Sequence, residues 1–424
     1  MRRGLFISAA LPREAPWPNT AGMSNALIGT TLDDLVRSPF ARLNALLEGL
    51  EPGANPINFS LGEPHASLPP FVQATLEEHL AAFGRYPPIR GIPALREAIA
   101  GWMGRRYPVL SGVIDPEIHV LPLNGSREGL FSAIFPARDR KTEIMKPAVL
   151  IPNPFYQVYA AATAVAGSEP VFLASGPETG FLPALDQIDE SILARTVAFY
   201  LCSPSNPEGA VASRDYLKRA IALARHHDFL LFADECYSEI YADERPPGAL
   251  EVAMAETGSL DNVVAFQSLS KRSGLPGLRS GFVAGDPAFM AAFGRFRNVA
   301  CPQVPLPIQH VSAAAWADEA HVEAGRALYQ ANFEAADSVL EGRFGYTRPA
   351  GSFFLWLNMA NFGGGEEAAK TLWKGCGVKV LPGAYLTKPQ AHEADPGRDF
   401  IRVALVHDAD TTREALARIV ATLG

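Results

Sequence analysis

The chain of 424 residues is poor in cysteine, with 4, at Cys202, Cys236, Cys301 and Cys376. None are spaced as C-x-x-C or in the paired pattern of a zinc finger. That excludes a disulfide scaffold, and the thiols read as small buried groups in a reducing compartment. No apolar run approaches the ~18 residues of a membrane-spanning helix. Positive charge is also short: 37 Lys and Arg stand against 45 Asp and Glu, for a net charge of −8. Without a basic stripe to neutralise phosphates, a nucleic-acid partner is not expected. G-x-x-x-x-G-K-[ST] is missing, as are G-x-G-x-x-G after a first strand and the G-x-S-x-G elbow. These absences remove support for P-loop enzymes, nicotinamide oxidoreductases and the common serine hydrolases. The 9 histidines form no H-E-x-x-H pattern. His226-His227-Asp228 reads as a helix end, and no metal is expected.

What is present is ordinary for a soluble globular chain: 48% hydrophobic and 19% charged residues, which excludes disorder as the main state. The length suits two or three domains. Residues 1–22, with Arg2 and Arg3 before a short apolar stretch and then three prolines, read as a leader that is floppy or untranslated, Met23 being the alternative start. They are set aside from the fold. Apolar runs of strand length follow at Ile118–Leu123, Ala148–Ile151, Glu169–Leu173, Thr196–Cys202, Phe229–Ala233 and Val263–Gln267. Most are continuously apolar, as strands covered on both faces are. Helical periods separate them: Pro93 opens one, and Ser213 caps another. Alternating strands and helices predict an α/β fold with a mostly parallel sheet. After about residue 310 the texture changes to one long helical stretch, Pro307 to Arg343, then strand-like runs at Ser352–Asn358 and Phe400–Ala404, which predicts a smaller α+β domain.

Ligands of open parallel sheets bind beyond the carboxyl ends of the strands, and there the unusual polar residues fall. The five runs in question are followed by Asn124-Gly125-Ser126-Arg127, Asn153-Pro154-Phe155-Tyr156, Ser203-Pro204-Ser205-Asn206-Pro207, Asp234-Glu235-Cys236-Tyr237 and Ser268-Leu269-Ser270-Lys271. Singly, each has a plainer reading. Gly125-Ser126 is a turn with an N-cap or a phosphate site at a helix start. Asn206-Pro207 is a turn, Asp234 a loop acid, Tyr156 a packing residue, Lys271 a solvated charge. Their shared register favours one site.

Those residues also resemble a family. Ser268-Leu269-Ser270-Lys271 with Gly277-Leu278-Arg279-Ser280-Gly281 resembles the lysine motif of class I aminotransferases among the fold-type I pyridoxal-phosphate enzymes. Tyr86-Pro87-Pro88, Gly91-Ile92-Pro93, Asn206-Pro207, Asp234…Tyr237 and Ile401-Arg402-Val403 match in order, from about residue 35 to the C-terminus. Segments 153–159, 234–241, 268–273, 315–322 and 396–402 are similar to succinyldiaminopimelate aminotransferases. Two places depart: Glu208 stands where the family usually has Thr after the Asn-Pro pair, which leaves that turn open, and the early motif carries Ile89-Arg90 where smaller residues are common.

The resemblance implies a large pyridoxal-phosphate-binding domain over 66–310 and a small domain from 23–65 with 311–424. It implies that Lys271 holds the cofactor covalently and then moves a proton, since a desolvated lysine titrates low enough to do both. Asp234 would face the pyridine nitrogen and keep it protonated. Asn206 and Tyr237 would bond the ring oxygen, and Tyr156 would stack on the ring. Ser126, Arg127, Ser268, Ser270 and Arg279 would hold the phosphate. Tyr86 would reach the phosphate of the other subunit of a homodimer. Arg402 would grip the substrate α-carboxylate in a two-pronged fork, and Gly62 would let the backbone approach it. Arg85 and Arg90, flanking Tyr86, are candidates to read a succinyl end. The expected activity is ping-pong transfer of an amino group between glutamate and N-succinyl-2-amino-6-ketopimelate, in the cytoplasm. Alternatives keep the fold and change the substrate (aspartate, aromatic, acetylornithine-like) or the reaction (a C–S lyase or decarboxylase). A cofactor-sensing regulator would need a DNA-binding segment that 22 leader residues cannot encode.

Overall fold

In the computed structural model, residues 37–65, 67–389 and 395–424 are described; the leader 1–22 lies outside them. Among the described residues twelve strands are formed: β1 Ile57–Asn58, β2 Val120–Leu123, β3 Ala148–Asn153, β4 Glu169–Ala174, β5 Thr196–Cys202, β6 Leu230–Asp234, β7 Val263–Ser268, β8 Gly281–Gly285, β9 Phe354–Asn358, β10 Val378–Lys379, β11 Leu381–Pro382 and β12 Phe400–Ala404. Seven make one sheet in the order β2-β8-β7-β6-β5-β3-β4. The pairs β4/β3, β3/β5, β5/β6 and β6/β7 are parallel, and β8 runs antiparallel to both its neighbours.

The continuous apolar runs follow from two covered faces. Side chains alternate across a strand, and here both sets are buried. Phe199, Leu201, Leu231, Ala233, Val263 and Ala265 enter one core, with helices Pro93–Arg106, Arg214–His226 and Ala249–Thr257. Ala198, Tyr200, Leu230, Phe232, Val264 and Phe266 enter the opposite core, with helices Gln157–Val165 and Pro287–Ala300. The Ser213 hydroxyl accepts from the Tyr216 N–H at 3.1 Å, and Pro93 occupies the first turn of its helix.

One strand is not foreseen and one expectation is corrected. Apolar patterning passes over β8, because its three apolar residues are enclosed by glycines. Those glycines are required: a Cβ on Gly281 would lie 2.3 Å from the Gln267 carbonyl oxygen, and one on Gly285 2.1 Å from that of Val263. The stretch 307–343 is two helices, Leu306–Ala317 and Ala320–Leu340, separated at Asp318-Glu319.

A second, antiparallel sheet has the order β11-β12-β9. Its core takes in helices Ala320–Leu340, Gly365–Cys376 and Ala409–Leu423 together with Ile57 and Phe59. β1 pairs in parallel with β10, and the Phe59 carbonyl accepts from the Ala404 N–H at 2.8 Å. The early segment is thereby built into the late one, which sets Ser60 and Gly62 beside Arg402.

Candidate active site

The carboxyl ends of β2, β5, β6 and β7 open on one cavity of about 300 Å³. Gly62, Ser126, Arg127, Tyr156, Asn206, Asp234, Tyr237, Ser268, Ser270, Lys271, Arg279 and Arg402 all line it. Tyr86 does not: it is 99% exposed on this chain. Arg85 and Arg90 are also absent from the lining, and Arg90 faces Glu117 at 3.7 Å.

Each side chain is fixed by the element that carries it. Asp234 is the last residue of β6, and strand alternation sends it to the same side as Leu230 and Phe232. There the Tyr159 hydroxyl donates to its Oδ2 at 2.6 Å, and the Cys236 N–H to its Oδ1 at 3.3 Å. Burial raises the Asp234 carboxyl above its ordinary range against these donors. Among the described residues no basic side chain pairs with it. The sequence alone assigns Tyr159 no role. Its position three residues after Tyr156, one helical turn on, was the available signal.

Lys271 sits on the one-turn helix Leu269–Arg272 after β7. Its Nζ donates to the Gly62 carbonyl oxygen and lies 5.3 Å from the Phe353 ring centre and 6.0 Å from that of Tyr237. Gly62 has no room for a side chain: a Cβ would meet the Phe354 ring at 2.7 Å. Burial, with Arg402 and Arg127 adding to it, lowers the Lys271 amine to about 8. In cofactor-free protein this amine is therefore expected to acylate along a curve centred near pH 8, against ~10.4 for an unperturbed lysine. Mass-spectrometric quantification of the acylated peptide across pH checks this, and a midpoint near ~10 would mean a solvated amine.

Arg402, on β12, is 4% exposed. Its Nη1 donates to Asn206 Oδ1 and its Nη2 to the Ser60 carbonyl, both at 2.8 Å, and its guanidinium lies 4.3 Å from the Phe354 ring centre. Nε is buried and has no hydrogen-bond partner among the described residues. Burial lowers the group to about 10, so it remains charged at neutral pH. At the other end of the cavity Gly125, with φ of 80°, opens the helix Ser126–Ser132. The first N–H groups of such a helix have no partner within it. A Cβ on Gly125 would fall 2.5 Å from Arg279 Nη2, so glycine there lets the guanidinium close over the helix start. The hydroxyls of Ser268 and Ser270 stand 3.0 Å apart nearby. Arg127 Nε donates to the Tyr156 hydroxyl. Glu208 borders a small cavity behind Tyr156, Tyr159 and Asn206, and burial pushes its carboxyl up to about 8.

These residues fit pyridoxal phosphate. A buried carboxylate without a cation suits a protonated ring nitrogen, a low-titrating amine suits covalent attachment, and the glycine-lined cradle with Arg279 suits a phosphate. No group of three or more His, Cys, Asp or Glu among the described residues is placed to hold a metal ion. No helix among them is long and apolar enough to cross a membrane.

The family model described as aminotransferase class I and II matches residues 54–419. An LL-diaminopimelate aminotransferase of Gloeobacter violaceus is 30% identical over 383 residues, covering 88% of this chain and 92% of that protein. A 4-dedimethylamino-4-oxo-anhydrotetracycline transaminase of Streptomyces rimosus is 33% identical over 366 residues, 86% of this chain and 92% of its own. The crystal structure of an aminotransferase from Neisseria meningitidis superposes with a TM-score of 0.86 at 38% identity, over 92% of this chain and 99% of that one.

Proposed function

Since the chain belongs to the pyridoxal-phosphate-dependent class I and II aminotransferases, we propose that it exchanges an amino group between glutamate and N-succinyl-2-amino-6-ketopimelate. The observation that carries the aminotransferase chemistry is the convergence of Lys271, Asp234 and Arg402 on one cavity from three separate elements. The substrate assignment is supported by the segments 153–159, 234–241 and 315–322. A second reading, LL-diaminopimelate as the donor, is favoured by the name of the Gloeobacter violaceus relative.

When bound, pyridoxal phosphate supplies the electron sink that lets the bond to the α-hydrogen of an amino acid break. The chain's own residues supply the rest. Arg402 binds the substrate α-carboxylate through its fork, with Asn206 and Ser60 fixing the plane of the guanidinium. Asp234, braced by Tyr159, holds negative charge at the floor. Ser126, Arg127, Ser268, Ser270 and Arg279 would hold the phosphate, Asn206 and Tyr237 would bond the ring oxygen, and Tyr156 would cover the ring. Lys271 would act as the base: an amine lowered to about 8 is about a tenth unprotonated at pH 7, against less than about a thousandth for an ordinary lysine, and its place beside Gly62 would keep it near the reacting carbon.

Tyr86 belongs to the same proposal. It is exposed, as are Leu80 and Phe83 in the same stretch of chain, apolar side chains that a second copy of the chain would cover. Tyr86 would then complete the phosphate site of that copy.

Titrating the visible absorbance of the holoenzyme with single amino acids tests the assignment. Bleaching by glutamate and succinyldiaminopimelate, and not by LL-diaminopimelate, aspartate, phenylalanine or acetylornithine, is expected. Bleaching by LL-diaminopimelate instead would replace the substrate and keep the enzyme class.

A further inference from the structure

Segment 315–322 resembles its counterpart in a family, yet none of its side chains lines the cavity. It lies where the chain passes from helix Leu306–Ala317, packed on helix Pro93–Arg106, to helix Ala320–Leu340 in the core of the second sheet. Its polar groups turn toward the residues that follow Lys271.

The contacts form two strands of one clamp. Arg272, 5% exposed, donates from Nη1 to the Ala315 carbonyl at 2.7 Å and from Nη2 to Glu319 Oε1 at 2.8 Å and the Asp318 carbonyl at 3.3 Å. Its guanidinium also lies 4.9 Å from the Trp316 ring centre. Beside it, Ser273 Oγ is 2.8 Å from His321 Nε2, and His321 Nδ1 is 2.5 Å from Asp318 Oδ1. A carboxylate only accepts, so His321 Nδ1 carries the hydrogen. Burial together with Arg272 holds the imidazole below its ordinary value against the pull of Asp318, which favours the neutral ring. A neutral ring protonated at Nδ1 accepts at Nε2, so the Ser273 hydroxyl donates there, and its oxygen accepts from Arg272 Nη1 at 3.4 Å. Phe71 closes the remaining side, its ring edge-on to His321 at 5.4 Å. With Ser273 5% exposed, this serine–histidine–aspartate series is a structural tie and not a nucleophile.

A tie is needed there. The helix Leu269–Arg272 is four residues long. One turn of helix fixes several backbone angles for very few internal hydrogen bonds and does not hold itself. External anchors must set where it sits, and with it where Lys271 points. We propose that Ser273, His321 and Asp318, with Arg272, are positioning residues for Lys271: they pin the turn that carries it and so keep its Nζ against the Gly62 carbonyl. The proposal rests on Lys271 being the reactive amine, not on which keto acid is used.

The test compares wild type with Ser273→Ala and His321→Leu. The first readout is acylation of Lys271 in cofactor-free protein, as a function of pH. The groups facing that amine are Tyr237, Glu63, Cys236, Arg402 and Arg127, and neither variant changes them. With the turn loosened, the amine gains solvent, and its midpoint is expected to rise by about 0.5–1 unit, slowing labelling near neutral pH roughly 3- to 10-fold. The second readout is steady-state kinetics with glutamate: kcat falls about 10-fold, and KM stays within about twofold, because Arg402 is untouched. A midpoint that stays at the wild-type value overturns the proposal, whatever kcat does. Should His321→Leu fail to fold, Ser273→Ala, which deletes a single oxygen, decides alone. Substrate choice is read in a separate assay, so an error there leaves this result interpretable.

Discussion

Replacing Lys271 with alanine is expected to lower kcat/KM by about 10⁴-fold or more, the upper range for a positioned acid–base group, and to leave a protein that binds the cofactor without covalent attachment. The magnitude follows from geometry. An amine held within the cavity acts at an effective concentration no solute amine can match. Lys271 is also the group whose loss no neighbour can cover: the other basic side chains lining the cavity are Arg127, Arg279 and Arg402, and a guanidinium does not give up its proton at working pH. Single-turnover kinetics with glutamate on reconstituted K271A checks the loss. Partial rescue by millimolar methylamine would identify the missing function as proton transfer. A K271A enzyme retaining a tenth of wild-type activity would place the base elsewhere.

Arg402→Ala is expected to cost about 2–5 kcal/mol in kcat/KM, the range for deleting one partner of a buried, hydrogen-bonded charge pair. That corresponds to roughly 30- to 5,000-fold. The loss includes the substrate carboxylate left without its fork, and the Asn206 Oδ1 and Ser60 carbonyl left without their 2.8 Å donors. Arg402→Lys should recover only part of it, since a point charge cannot make two parallel bonds. The useful feature is uniformity. Every amino acid substrate carries the same α-carboxylate, so R402A should depress both half-reactions alike. A loss confined to one half-reaction would mean that Arg402 reads a side chain.

How much of this was readable beforehand varies by residue. β5 and β7 declared themselves because both faces are buried and the runs are unbroken. The polar clusters after them were readable because a parallel sheet puts all its carboxyl ends on one edge. β8 was hidden by the glycines that its close neighbours demand. The break at Asp318-Glu319 had a signal, since Asp318 Oδ1 accepts from the His321 N–H at 3.1 Å, as a helix-start residue does. Apolar content on either side masked it. The link from Tyr159 to Asp234 depends on which face of β6 the carboxylate leaves, a property of tertiary register that local sequence does not carry. The Ser273–His321 contact spans 48 positions and likewise has no local trace. Arg402 reads alone as a charge at a strand end. Family likeness singled it out, and its seat beside Asn206 appears only in three dimensions.

The pairing of β1 with β10 bears on how the protein is made. Ile57 finds Val378 across about 320 positions, and a ribosome emits its product from the N-terminus. At about 5–20 residues per second, that interval is roughly 15–65 s. By the time Arg279 emerges, every group proposed to bind the cofactor on the central sheet has been synthesised. The segment carrying Phe59 and Gly62, by contrast, is synthesised well before β10 and β12, with which it pairs. In a nascent chain the groups on the central sheet therefore precede the strands that seat Gly62 and Arg402 beside them, and Ile57 and Phe59 wait for the core that buries them.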